Sequence, residues 1–271
     1  MKFINIKFNM KDSRKLEAAK YLFNNRLNKS SIKRLPQNLC PKNLQESYAI
    51  QDELKILYLS LSNNICIGKK VGCTNKIAQK QVGIYEPFYG NLFSKYSNVN
   101  KCKLRSSKFC LPFAEPEISF RIKDDININL APFRKKDIYF LFDKILPSIE
   151  LVDFRFGNNI SKIGINNLII SNGASEYWIK SQNSFSLDSV NLNDLEVKLY
   201  SNDKLKEKGN TNMVLENPIN SALWLLNKLS KQGEPMLKGQ YISTGTCTKA
   251  LKLNKDSNIR ADFGTLGSIE F

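Results

Sequence analysis

The stretch "FAEPEISF" (residues 113–120) and a second, "PSIELVDFRF" (147–156), read as apolar strands carrying three acids, Glu115, Glu117 and Glu150. Successive side chains on an extended strand point to opposite faces, so Glu115 and Glu117 share one face. Carboxylates crowded on an apolar strand need a cation, a proton or a hydrogen-bond partner. The chain contains no histidine. A site built from these acids therefore offers oxygen ligands, which suit a hard cation such as Mg²⁺ or Mn²⁺. An E-x-E pair taken alone reads more often as a solvated face, so the surrounding sequence has to decide.

Working outward, residues 11–29 and 43–62 carry helical spacing, separated by the two prolines of "RLPQNLCPKN" (34–43). They predict an N-terminal helical cap over residues 1–64. From Ile65 the chain turns to short β segments, expected near 65–72, 110–122, 147–155, 167–171, 194–200, 204–208, 239–243 and 258–271. Asn202-Asp203 marks a hairpin turn. Helices are expected at 134–142 and 216–231, the second opened by Asn217 and Pro218 as N-cap and first residue. Strands and helices do not alternate in a βαβ rhythm, so the fold class is α+β.

The 271 residues carry 41 Lys and Arg against 25 Asp and Glu, a formal charge of +16. That charge raises nucleic acid or an acidic membrane as partners. The basic residues are scattered among Ile and Asn rather than gathered into an arm or stripe, and no nucleic-acid-binding motif appears. Neither partner is expected. Six cysteines without a C-x-x-C pair read as reduced thiols of a cytoplasmic protein. There is no secretory signal pattern and no run long enough to span a bilayer.

"ICIGKKVGCTN" (65–75) places Lys69 and Lys70 in an apolar, glycine-flanked strand. Alternation lets only one of the pair face inward, and spacing does not choose which. An inward lysine would supply positive charge to a developing oxyanion or enolate. "GIYEPFYGNLF" (83–93) reads as a structural turn, and "YISTGTCT" (241–248) ends in hydroxyls around Gly245 that suit a carboxylate or an ordinary turn.

In their order along the chain these strings resemble one family. IGKKVGCTN, Q-x-x-G-I-x-E-P-F-Y-G-x-L, E-P-E-I-S-F, P-S-I-E-L-V-D-F-R-F, NPINSALWLLNKL, STGT and ADFGTLGSIEF together look like the 2-keto-4-pentenoate hydratase / 4-oxalocrotonate decarboxylase branch of the fumarylacetoacetate hydrolase superfamily. The likeness runs from "LPQNLCPKNLQESYAIQ" (35–51) to the last residue. It implies a mixed, curved β-roll with flanking helices over residues 65–271, and a homo-oligomer. It implies Glu115, Glu117 and Glu150 as ligands of Mg²⁺ or Mn²⁺, Lys70 beside a bound 2-keto acid and Thr244 at the substrate carboxylate. Lys69 stands where tryptophan is common. Asp153 and Arg155 are implied to support the ligands from behind.

Besides Lys69, the chain departs from the family at two places. Phe88 stands where many hydratases of the branch carry an aspartate, which leaves Glu86 as the nearby base. Ser171 stands at a second acidic position, with Ser175 as the serine nearest the displaced one. The expected activity is a metal-dependent lyase on a small unsaturated 2-keto or 2-hydroxydienoic acid, with hydration of 2-hydroxypenta-2,4-dienoate preferred over decarboxylation.

Overall fold

The computed structural model describes residues 13–157 and 159–271. In chain order they form α1 (Ser13–Leu27), α2 (Leu44–Leu59), β1 (Cys66–Gly72), α3 (Lys76–Val82), β2 (Phe88–Phe93), β3 (Ser97–Val99), β4 (Pro112–Ile122), α4 (Ile138–Leu141) and β5 (Phe142–Asp153). There follow α5 (Ile160–Ile170), β6 (Ser175–Lys180), β7 (Glu196–Ser201), β8 (Lys204–Asn210), α6 (Pro218–Lys231), β9 (Tyr241–Thr246), β10 (Leu251–Lys252), β11 (Ile259–Asp262) and β12 (Ser268–Glu270). The first residues of the expected helical cap, 1–12, lie outside the described residues.

The central sheet runs β2-β1-β9-β4-β5-β6-β3, with β10 also paired to β4. β1 with β9 and β3 with β6 are parallel, and the other pairs are antiparallel. A second, antiparallel sheet runs β12-β11-β7-β8. With helices laid against a mixed sheet, the architecture is the α+β one expected.

Apolar alternation along β4 and β5 builds the floor of the core through Ile118, Phe120, Ile145, Ile149 and Leu151, all fully buried. Over it lies α6, whose start is set by Asn217 accepting from the Ile219 N–H ahead of Pro218. Its Leu225, Leu226 and Leu229 are buried in the same core, each worth about 1.5–3 kcal/mol. The two N-terminal helices pack on one another through Ala18, Leu22, Ile50 and Leu54, and against Phe93 and Ile170. The β7–β8 hairpin turns at Asn202 and Asp203, which both take positive φ, 50° and 59°, as a type I′ turn requires.

Several segments differ from expectation. Residues 167–171, expected as a strand, close helix α5. Asn159 caps that helix by accepting from the Lys162 N–H, and Ile163, Leu168 and Ile169 bury against Val82 and Phe88. A short isoleucine-rich run looks the same in both states until its partners are known. Residues 88–93, read as a turn, pair with β1 as an edge strand. The stretch 258–271 folds back on itself as β11 and β12 around Gly264 and Gly267. Helix α3 and strands β3 and β6 were not anticipated, being short and held by pairing rather than by local pattern.

Candidate metal centre

Pairing of β4 with β5 sets Glu115 directly opposite Glu150, and Glu117 opposite Ser148. The register therefore gathers Glu115, Glu117 and Glu150 on one face, with one carboxylate oxygen of each within 4.8 Å of the others. Glu117 and Glu150 are fully buried, while Glu115 stands at the mouth, partly exposed.

Lys70 joins them. Its Nζ donates to Glu150 Oε2 at 2.9 Å, both groups buried. On a flat sheet β1 and β5, three steps apart, would be separated by ~14 Å, with side chains perpendicular to the plane. Their contact requires the sheet to curl toward this face. Ser243 on β9 donates to Glu117 Oε2 at 2.5 Å, and Trp178 Nε1 donates to Ser243 Oγ at 3.1 Å. Ser119 and Ser148 complete a buried hydroxyl cluster with Ser243.

Two oxygens remain without a partner: Glu117 Oε1 and Glu150 Oε1 are buried and accept no hydrogen bond. Burial raises the Glu115 carboxyl to about 7 against the pull of Lys70, with Glu150 adding to the rise. Burial, then the neighbouring Glu150 and Glu115, hold Glu117 well above the ordinary carboxylate range. Burial lowers the Lys70 ammonium, but Glu150, Glu115 and Glu117 outweigh it and hold the group above its ordinary value. Three carboxylates and one ammonium sum to −2 when all are charged. A divalent cation would neutralise that charge and satisfy the orphaned oxygens, so the residues fit such an ion.

A cavity of about 100 Å³ opens on Lys70 and Glu115, and its walls include Phe88, Val152, Phe154 and Leu168. The Phe88 ring stands 5.6 Å from Lys70 Nζ. A larger cleft of about 920 Å³ lies elsewhere, lined by Phe109, Leu253 and Phe271 among others, and holds none of these groups.

The remaining sequence candidates are placed differently. Lys69, whose inward orientation was expected to exclude that of Lys70, is also buried, on the opposite side. Its Nζ meets Asn91 Oδ1 at 3.0 Å and Glu234 at 3.1 Å. Thr244 is fully buried and donates to the Ile118 carbonyl at 2.7 Å, while its neighbours Gly245 and Thr246 line the cavity. Ser175 lines a separate small cavity with Arg26, Tyr58 and Glu176. Glu86 lies outside, paired with Lys228 of α6 at 2.7 Å. Asp153, three residues beyond Glu150, falls on the opposite strand face. There it accepts from the Cys110 and Leu111 N–H groups and pairs with Arg155 at 3.0 Å. Ser148, Ser119 and Trp178 were missed; only their strand parity relative to the acids pointed to them.

No family model matches the chain. It is 27% identical to the 4-oxalocrotonate decarboxylase of Pseudomonas putida over 255 residues, 94% of each chain. It is also 27% identical to the 2-oxo-hept-4-ene-1,7-dioate hydratase of Escherichia coli over 231 residues, 83% of this chain and 85% of that one. The structure of 4-oxalocrotonate decarboxylase from Pseudomonas putida G7 complexed with magnesium and adipate superposes with a TM-score of 0.87 at 26% identity, covering 97% of this chain and 98% of that chain. Yeast ynq8, a fumarylacetoacetate hydrolase family protein, shares the fold alone, with a TM-score of 0.54 at 16% identity over 79% of this chain and 93% of that one. In sequence over most of its length and in fold, the chain is an enzyme that resembles the 2-keto-4-pentenoate hydratase / 4-oxalocrotonate decarboxylase branch of the fumarylacetoacetate hydrolase superfamily.

Proposed function

We propose that this enzyme holds Mg²⁺ or Mn²⁺ on Glu115, Glu117 and Glu150 and acts as a lyase on a small unsaturated 2-keto acid. The observation that carries the reading is the pair of buried, unpartnered oxygens on Glu117 and Glu150, grouped with Glu115 and Lys70, which line the cavity. When bound, the cation supplies Lewis-acid polarisation of the substrate's carboxylate and keto oxygens. Lys70 adds a fixed positive charge beside them. Ser243, steadied by Trp178, holds Glu117 in one orientation, so little reorganisation is needed as charge develops.

Of the two reactions, the geometry favours decarboxylation of a 2-oxohex-3-enedioate-type diacid. Hydration needs a side chain that moves a proton to or from the added water. Among the described residues lining the cavity the ionisable ones are Lys70, Glu115 and Cys73. Burial pushes the Cys73 thiol up to about 12, so it stays protonated, and Glu86 is engaged by Lys228. Loss of carbon dioxide needs no such base: the breaking C–C bond leaves its electron pair in the conjugated keto acid. This reverses the preference read from the sequence. Hydration stands as the second reading, favoured by Asn75, Gln81 and Thr246, neutral groups on the cavity wall able to hold a water.

Turnover of 2-oxohex-3-enedioate and of 2-hydroxypenta-2,4-dienoate with Mn²⁺ separates them. Carbon dioxide release from the diacid, abolished by Glu117→Gln, is expected. Hydration of the dienoate alone supports the second reading, and turnover without metal overturns both. A cytoplasmic homo-oligomer is the setting this reading carries, and sedimentation of the purified chain tests the assembly.

A further inference from the structure

Between α5 and β6 the chain makes a turn in which three successive residues take positive φ: Asn172 (58°), Gly173 (66°) and Ala174 (58°). Only glycine adopts that region freely, so Asn172 and Ala174 hold it at a cost of about 1–3 kcal/mol each, a cost that persists where surrounding contacts over-determine the backbone. Those contacts are on β2. The Asn172 side chain accepts from the Asn91 N–H at 2.7 Å and donates Nδ2 to the Asn91 carbonyl at 2.8 Å, so its amide imitates a strand partner. Its own carbonyl is pressed on Gly90, where a Cβ would come within 2.5 Å of it. Gln51 of α2 ties the same region together, donating to the Tyr89 and Ile169 carbonyls. On the far side, Asn91 Oδ1 takes the Lys69 ammonium.

The turn so fixed pushes its next residue against the candidate site. A Cβ on Gly173 would lie 2.8 Å from Lys70 Cε and 2.8 Å from the Phe88 ring. Gly90, beneath Asn172, is the registered partner of Lys70 across β1 and β2. We infer that Asn172 is a positioning residue: its amide clamp on Asn91 seats Gly173 against the Lys70 stem and thereby aims the Lys70 ammonium at Glu150. The kinetic part of this inference rests on the functional reading above, in which Lys70 serves the reaction; the geometric part does not.

The test is Asn172→Ala, with Asn172→Asp as a milder variant that keeps the acceptor for the Asn91 N–H and loses the donor; Asp serves alone if Ala does not fold. A crystal structure of the variant should show the Lys70 Nζ–Glu150 Oε2 contact, 2.9 Å in the native chain, lengthened beyond hydrogen-bond reach. An unmoved Lys70 overturns the inference whether or not the native chain turns over either acid. Where turnover is present, kcat should fall on the order of 10–100-fold with KM nearly unchanged, the scale expected for a misplaced group. In a Lys70→Met background the same substitution should cost less than about twofold, because residues acting through one another are not additive. Equal losses in both backgrounds overturn the inference. A displaced Lys70 in a native chain that turns over neither acid supports the clamp and overturns the functional reading instead.

Discussion

Lys69 and Lys70 are neighbours on β1, and both ammonium groups are buried, on opposite faces of the sheet. Lys70 meets Glu150 among the three acids, and Lys69 meets Asn91 and Glu234 behind them. Strand alternation makes this possible, but burial of two adjacent cations is tolerated only because each face supplies its own anion. The pair thus joins the candidate metal centre to the amide cluster that supports it.

Lys70→Met should therefore cost more than an ordinary lysine substitution. It leaves Glu150 buried beside two further acids without its cation, a loss of about 3–5 kcal/mol for a broken buried pair. At about 2–4 °C per kcal/mol for a chain of this size, the Tm of the metal-free protein should fall by roughly 6–20 °C, and saturating Mn²⁺ should recover part of it. Scanning calorimetry measures both, and a fall of less than about 2 °C without metal would show that the ammonium is not holding the acids together.

Mn²⁺ should stabilise the native chain, since an ion that binds only the folded state at a hundred times its Kd adds about 2.7 kcal/mol. Glu117→Gln removes one of the two orphaned oxygens or replaces it with an N–H that repels a cation. The metal-dependent rise in Tm should then disappear while the apo Tm holds or increases. A variant with the full Mn²⁺ shift would exclude Glu117 as a ligand.

Metal-free stability should fall as pH rises across this site. Burial lifts the Glu115 carboxyl from an ordinary 4.5 to about 7, and Glu117 moves the same way. Between those values the folded chain keeps protons that the unfolded chain has released, so raising pH favours unfolding. The contribution of Glu115 is fully present below about 4.5 and is lost as pH rises through about 7, and that of Glu117 declines with rising pH in the same direction. Mn²⁺ displaces the same protons, so its affinity should strengthen over that window. Urea midpoints at pH 5 and pH 8, with and without Mn²⁺, report the sign. A metal-free midpoint that rises with pH contradicts the protonated acids.

The acids were legible because strand parity is local: Glu115 and Glu117 share a face whatever the partner strand is. Helix α6 was legible through Asn217-Pro218, and the β7–β8 turn through Asn202-Asp203. What escaped depends on partners distant in sequence. Whether "INNLII" (165–170) is strand or helix is settled by burial against Val82 and Phe88, and Ser243 becomes a support for Glu117 only once β9 lies beside β4. Likewise alternation put only one of Lys69 and Lys70 inward, and burial of Lys69 becomes intelligible only once Glu234, 165 residues on, lies beside it.

Glu86 illustrates the same point in reverse, since nearness along the chain to Phe88 suggested a base. Its carboxylate is about half exposed and faces Lys228 and Trp224 on α6. An exposed ion pair of this kind is worth ~0–1 kcal/mol. Glu86→Gln should leave kcat within about twofold and stability within about 1 kcal/mol. A loss of a hundredfold or more would return Glu86 to the catalytic machinery and with it favour hydration.

The last relationship is between two turns that meet at the cavity. Gly245, with φ of 108°, lies so close to Thr74 that a Cβ would sit 2.2 Å from Thr74 Oγ1 and 2.9 Å from Thr74 Cβ. Thr74 is itself buried, and its carbonyl accepts from the Leu215 N–H at 2.8 Å, so it has no free direction in which to retreat. Gly245→Ala must therefore shift the β1–α3 turn away from β9. Overpacking of this kind costs about 1–3 kcal/mol, to which a side chain at this φ adds strain. Because Lys70, Cys73, Thr74 and Gly245 all line the cavity, the substitution should raise KM for the keto acid as well as lower Tm. Ser243, two residues upstream and turned toward Glu117, should hold its place, so Mn²⁺ affinity should change by less than about threefold, or ~0.7 kcal/mol. Calorimetry, titration of Mn²⁺ and initial rates on one preparation distinguish these effects, and an unchanged Tm would show that the two turns are not in the contact described.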